Sequence, residues 1–227
     1  MKNIYCLLIV SFLCIFSLLP AGAQTLSEKD FQVLNMNDGL SDNDIHSVAK
    51  DTEGFMWFGT GSGLNRYDGH TFKVFRMPGI SYRRIDRVVS LDTDYLLLRS
   101  EQNLFLFDKK YERFLPVCDS VSKQPVMFAD FVADSDGSCW GVSSGELSEV
   151  NFPSSYVQDT AFVSVRHVVN NSQSDPFVVL CMGEDGKMLY CASRNGTVYR
   201  FTPGQRQLKK VCDGQLSSGR WVSSLLN

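Results

Sequence analysis

Beyond residue 40, short runs of aromatic and β-branched residues alternate with clusters of Gly, Asp, Asn and Ser. That pattern predicts strands joined by tight turns. The clearest set reads Ile45–Asp51, Phe55–Thr60, Leu64–Tyr67 and Thr71–Arg76. Asp51-Thr-Glu-Gly54, Gly61-Ser-Gly63 and Asp68-Gly-His70 lie between them, the chemistry that short hairpins demand. A second set follows at Val88–Asp92, Tyr95–Arg99, Asn103–Asp108 and Arg113–Val117. The third comprises Phe128–Asp134, Ser138–Ser143, Glu146–Asn151 and a loosely patterned stretch from Tyr156 to Val165. The fourth is Phe177–Met182, Met188–Ala192, Thr197–Phe201 and Gln207–Cys212. No amphipathic helix of useful length is visible.

Several strands do not alternate. Phe55-Met-Trp-Phe58, Tyr95-Leu-Leu-Leu98 and Val178-Val-Leu-Cys181 are continuous apolar runs, as strands covered on both faces require. Blades of a β-propeller stack face on face and cover their strands in this way. A two-sheet sandwich leaves one face wet and shows more period-two alternation. Trp57, Leu97, Trp140 and Leu189 recur at the same place in the second strand of each set, at intervals of 40, 43 and 49 residues. The chemistry of the preceding turn recurs as Asp51-x-x-Gly54, Asp134-x-x-Gly137 and Gly183-Glu-Asp-Gly186. The expected fold is all-β, a propeller of four-stranded antiparallel blades.

The last segment, Asp213 to Asn227, echoes Asp38 to Asp51 at an offset of 176 residues. Four intervening units give about 44 residues each, a propeller-blade period. The pattern therefore predicts four complete blades over 40–76, 86–117, 127–165 and 177–212, with the first strand of another at 217–227. Phe31-Gln-Val-Leu34 resembles an outer strand (compare Phe72-Lys-Val-Phe75) and would latch a ring by completing its final blade. A closed ring of four blades is the alternative. An incomplete ring would leave blade edges open to self-association.

Residues 1–23 read as a secretory signal: Lys2, an apolar run from Ile4 to Leu19, then Pro20-Ala-Gly-Ala23, with cleavage expected before Gln24. The mature chain is then exported, periplasmic in a two-membrane cell, with no further segment apolar enough to insert in a membrane. The formal net charge of the full sequence, −3, argues against nucleic acid and anionic lipid as partners. Five cysteines remain beyond the signal, and Cys181 and Cys191 flank a turn closely enough to suggest a bridge. No Cys-x-x-Cys pair exists and the histidines are scattered, so no zinc site and no cofactor is expected. Asp134-Ser-Asp-Gly137 and Asp42-Asn-Asp44 have a calcium-loop flavour, but lack a distal bidentate acid and are read as turns.

Asp38-Gly-Leu-Ser41, Ile45-His-Ser-Val48, Asp51-Thr-Glu-Gly54, Phe55-Met-Trp-Phe-Gly-Thr60 and Gly63-Leu-Asn-Arg-Tyr-Asp-Gly69 together resemble the two-component regulator propeller repeat. The third unit keeps Asp134, Gly137 and Trp140, and the fourth keeps Gly186 and Gly196-Thr-Val-Tyr-Arg-Phe201. The second lacks the tryptophan and the glycines. A signal followed at once by this repeat looks like the N-terminus of a hybrid two-component sensor. The resemblance implies two seven-bladed propellers and a small β-sandwich in the periplasm sensing glycan fragments. A membrane helix, a histidine kinase, a receiver and a DNA-binding module follow in that family. None of the kinase or DNA-binding motifs is present here.

The repeat's own residues read structurally: Trp57 between blades, Gly54, Gly63 and Gly69 in turns, Gly59 at a close approach, Arg66 and Asp68 tying strands together. Ligand-binding residues are expected at the mouth, where interblade connections meet the turns between second and third strands. The connections are Asn37–Asp44, Met77–Ile85 and Asp119–Pro125; the turns are Gly61–Gly63, Ser100–Asn103, Ser143–Gly145 and Ser193–Gly196. Sugar sites combine aromatic faces with planar hydrogen-bonding groups. Tyr82, Arg83, Arg84, Arg194 and Asn195 are the candidates on that ground. Oligosaccharide is the expected ligand, and sensing the expected role. A protein-interaction scaffold and a carbohydrate-active enzyme are the alternatives. A glycosidase needs two carboxylates facing across a cleft, whereas the carboxylates here cluster in turns, so no catalytic residue is assigned.

Overall fold

The computed structural model describes residues 31–77, 84–133, 138–153, 156, 159–170, 175–183 and 187–214. Phe31–Leu34 carries no regular structure, with Phe31 and Val33 exposed, so the expected outer strand is not formed there. From Asn35 onward the described residues are almost wholly β. Four successive four-stranded units are formed: β1 (Ile45–Lys50) to β4 (Phe72–Phe75), with β2 (Met56–Thr60) and β3 (Gly63–Tyr67) between them; β5 (Arg87–Ser90), β6 (Tyr95–Ser100), β7 (Asn103–Asp108) and β8 (Arg113–Asp119); β9 (Asp130–Ala133), β10 (Cys139–Ser143), β11 (Glu146–Asn151) and β12 (Ala161–Asn170); and β13 (Phe177–Met182), β14 (Leu189–Ser193), β15 (Val198–Thr202) and β16 (Gln207–Cys212). Neighbours within each unit pair antiparallel in chain order. The stretch 217–227 and the turns 134–137 and 184–186 lie outside the described residues.

The second and third units are joined along their outer strands. Ala161, Phe162 and Val163 of β12 run parallel to Val117, Cys118 and Asp119 of β8, and Ser164 to Asn170 then pair antiparallel with β11. The result is one sheet of eight strands. This strand begins and ends later than the pattern predicts. Its second half, from Ser164 to Asn170, is partly or fully exposed and carries no apolar period to read.

Three hydrophobic clusters lie between successive units, and they explain the apolar runs. Leu96, Leu98, Phe105 and Phe107 turn toward the first unit and pack with Trp57, Leu64 and Phe75. Leu97, Leu104 and Leu106 turn the other way, onto Phe128, Phe131 and Cys139 of the third. The third cluster sets Trp140, Val142 and Leu147 against Phe177, Leu189 and Phe201. Alternate residues of one strand thus feed two different cores. Units stacked so closely need small residues at the contact. A β-carbon on Gly59 would lie 2.6 Å from the Ile85 carbonyl oxygen, where the second unit begins.

Cys118, Cys191 and Cys212 carry free thiols. Cys191 pairs across the ladder with Leu180, whereas Cys181 pairs with Tyr190. Opposed residues share a face and consecutive ones do not, so the two thiols point to opposite faces of their sheet. The bridge suggested by the turn is excluded by that register.

Candidate functional site

The first strand of a propeller blade lines the central axis, and here β5, β9 and β13 enclose a cavity of about 410 Å³. Polar groups gather on its wall from all three. Arg87 places Nη1 3.3 Å from Asp130 Oδ1, and Asp130 Oδ2 accepts the buried Leu180 N–H at 2.9 Å. This relay ties the inner strands of the second, third and fourth units together. Arg99, at the end of β6, donates from Nη1 to the Ala129 carbonyl. Its Nε is buried and has no partner among the described residues. Asp86 accepts Arg84 Nε at 2.5 Å on one oxygen and the Glu101 N–H at 2.7 Å on the other. Burial pushes the Arg99 guanidinium below its ordinary value; Asp130 and Asp86 oppose that, while Arg87 and Arg84 add to it.

A second cavity, of about 270 Å³, opens at the mouth between the turn after β8 and the β10–β11 turn. Asp119, Ser122 and Gln124 stand on one side, with Ser144, Glu146 and His167 on the other. The Ser122 N–H and hydroxyl both donate to Asp119 Oδ2 at 2.8 Å and hold its carboxyl below the usual carboxylate range. Ser148, His167 and Glu146 have the composition of a hydrolytic triad but not its wiring. Ser148 Oγ at 3.0 Å and Glu146 Oε2 at 3.1 Å both meet the same imidazole nitrogen, Nδ1. A relay needs the nucleophile on one nitrogen and the orienting acid on the other. Among the described residues, no cluster of three or more His, Cys, Asp or Glu could hold a metal ion.

Carboxylates ahead of the inner strands build the mouth. Asp42 Oδ2 accepts the Ser62 hydroxyl at 3.0 Å, Asp86 accepts the Glu101 N–H, and Asp175 Oδ1 accepts the Asn195 N–H at 2.8 Å. Each thereby fastens an interblade connection to the turn between the second and third strands. Asp42 is thus a turn residue.

Of the residues predicted from sequence, Tyr82 and Arg83 lie outside the described residues. Arg84 is exposed beside the axial cavity, on Asp86. Arg194 donates its backbone N–H to the Pro176 carbonyl at 3.0 Å. Asn195 Oδ1 accepts from Ser193 Oγ at 2.8 Å and from the Thr197 N–H and hydroxyl at 2.9 and 2.7 Å, so its side chain shapes its own turn. Sequence reasoning missed Arg87, Arg99 and Asp130. The available signal was a charged residue closing the apolar run of β6.

Trp57 is 1% exposed, so its ring cannot serve as a sugar platform. It stacks on Phe75 and meets Phe107 of the next unit edge-on. Arg66 lies over the Phe55 ring, 4.6 Å from its centroid. Residues 39–62, which hold Asp51, Trp57 and Gly59, match the family described as two component regulator propeller. The chain carries a two-component regulator propeller repeat. A 78-residue stretch is 38% identical to histidine kinase P4 of Formosa agariphila and covers 34% of this chain and 5% of that protein. In fold, the chain is similar to the extracellular domain of a hybrid two component system from B. thetaiotaomicron, with TM-score 0.59 at 17% identity. That match covers 80% of this chain and 26% of the other. The extracellular domain of a one component system from the same organism aligns with TM-score 0.57 at 18% identity, covering 79% and 27%. Virginiamycin B lyase of Staphylococcus aureus aligns with TM-score 0.55 at 8% identity, covering 78% and 57%. Such distant structures establish the propeller fold and no more. The chain spans about a quarter of the two extracellular domains and a small part of the kinase.

Proposed function

We propose that this chain is an exported ligand-sensing propeller of a two-component signalling system, and that it responds to glycan fragments. The repeat at residues 39–62 carries the reading. The likeness to two extracellular domains supports export, as does the leader-like segment ending at Ala23. Among the described residues no helix is long and apolar enough to cross a membrane. The glycan is assigned to the cavity at the mouth. Ser122, Gln124, Ser144, Glu146 and His167 supply both donors and acceptors there, as a polyhydroxylated ligand requires.

An oligosaccharide array probed with the full chain tests this reading. Retention of a subset of glycans is expected, weakened at least tenfold by Glu146→Ala and by His167→Ala. Failure to retain any glycan overturns it, and so does cleavage of the bound sugar.

A further inference from the structure

The axial cavity has a chemistry different from that of the mouth. We propose that it binds a small monocarboxylate with an apolar body, held by Arg99 and Arg87. Both carboxylates that the described residues place on its wall already have partners on each oxygen: Asp130 takes Arg87 and the Leu180 N–H, and Asp86 takes Arg84 and the Glu101 N–H. The unmet hydrogen-bonding capacity is therefore that of donors. Arg99 uses Nη1 on the Ala129 carbonyl, which leaves the Nε–Nη2 edge. That edge pairs side-on with a carboxylate through two parallel hydrogen bonds. Nε is shielded from bulk water, so an acceptor for that edge has to sit within the fold.

Charge sets the stoichiometry. Among the described residues, Arg84, Arg87 and Arg99 face Asp86 and Asp130, an excess of one positive charge. A single carboxylate neutralises it, whereas a phosphate dianion overshoots and a neutral ligand leaves it bare. The rest of the wall selects the body. Val89, Val132, Val178 and Met182 are apolar, and among the described residues no aromatic ring lines the cavity on which a sugar could stack. Its volume of about 410 Å³ lies within the range of small-molecule sites. The inference is independent of the glycan reading, which concerns the other cavity.

Titration calorimetry on the full chain with benzoate, benzamide and acetate separates charge from body. Benzoate is expected to bind at least ten times more tightly than benzamide, which lacks the charge, and than acetate, which lacks the body. Arg99→Gln and Arg87→Gln should each weaken benzoate at least tenfold, while Lys209→Gln on the exposed face of β16 leaves it unchanged. Equal affinity for benzoate and benzamide overturns the proposal, as does no benzoate binding at millimolar concentration. If Arg99→Gln does not fold, Arg87→Gln decides: unchanged affinity in that variant overturns the proposal. None of these failures touches retention of glycans at the mouth.

Discussion

Trp57 donates its indole N–H to Asp51 Oδ2 at 2.8 Å, in an environment where the aspartate side chain is fully buried. The other oxygen of Asp51 accepts the N–H groups of Glu53 and Phe55, both at 3.0 Å, and so shapes the hairpin between β1 and β2. Lys109, from the second unit, brings Nζ to 3.5 Å. One carboxylate thus organises a turn, orients the ring that fills the space between units, and receives a charge from the neighbouring unit.

Replacing Asp51 by Ala removes all four partners at once and leaves Lys109, its side chain 7% exposed, with only Glu53, at 3.8 Å, among the described residues. Breaking a buried ion pair from one side costs about 3–5 kcal/mol. Asp51→Ala should therefore lower the urea midpoint strongly at unchanged slope. Asp68 makes the same kind of turn, accepting the His70 and Thr71 N–H groups at 2.8 and 2.7 Å, but at the surface. Asp68→Ala should move the midpoint far less. Equal shifts in the two variants would contradict the role given to burial and to Lys109.

The same carboxylate predicts an acid transition. Burial raises the Asp51 pKa, but the Trp57 N–H, Lys109 and the Phe55 and Glu53 N–H groups together outweigh it and hold the value below 3.8. A group with a depressed folded pKa contributes stability that is full above its unfolded value and is lost as pH falls through the folded one. The urea midpoint should therefore be steady above pH 5 and drop below pH 3.8. The Asp68 carboxyl, lowered to about 2 by its turn N–H groups, extends the loss to that pH. In Asp51→Asn the drop should be shallower, the variant being weaker at pH 7 and closer to the wild type at pH 2. Parallel profiles for the two proteins would refute the assignment.

Glycines of two kinds should respond differently to alanine. Gly54 has φ of 94° with open space around it, so a methyl group there meets only backbone strain, costing about 1–2 kcal/mol. Gly59 and Gly141 have ordinary backbone angles and no room. A β-carbon would lie 2.6 Å from the Ile85 carbonyl in the first case and would overlap the Phe128 ring in the second. Overpacking of that kind costs about 1–3 kcal/mol where the neighbour can shift. Phe128 is buried between two units and backs the mouth cavity. Gly141→Ala should therefore melt lower than Gly54→Ala and also weaken glycan retention. Gly54→Ala should leave retention intact.

The strands were legible because burial on both faces writes an uninterrupted apolar run. Leu96, Leu97 and Leu98 could be assigned to one covered strand before it was known that they serve two different cores. Turns were legible wherever Asp and Gly carry them, as at Asp51 and Gly54. The union of β8 with β12 was not, because Ala161 to Val163 make their parallel contact through backbone groups, which every residue possesses. The site was read less well, for a related reason. Arg194 and Asn195 look like ligand-binding residues by type, yet the Asn195 amide oxygen completes its own turn. Arg87, Arg99 and Asp130 become a group only because β9, distant in sequence from β5 and β6, converges with them on one axis.

Thiol chemistry offers a direct test of the ladder register. Cys191 is buried in the third cluster, and burial pushes its thiol up to about 12. Cys139 is equally buried, in the second of the interunit cores. Cys212, near the end of β16, is exposed. Alkylation depends on the thiolate and on access to it. At pH 8 iodoacetamide should therefore modify Cys212 within minutes in the native protein, and Cys139 and Cys191 only after denaturant is added. Because Cys181 and Cys191 lie on opposite faces of their sheet, air oxidation of the folded protein should not join them. A peptide map showing a Cys181–Cys191 crosslink would require a one-residue slip of β13 against β14. Such a slip would also turn Leu180 out of the core and Arg87 away from its relay, since Asp130 is held to the Leu180 N–H.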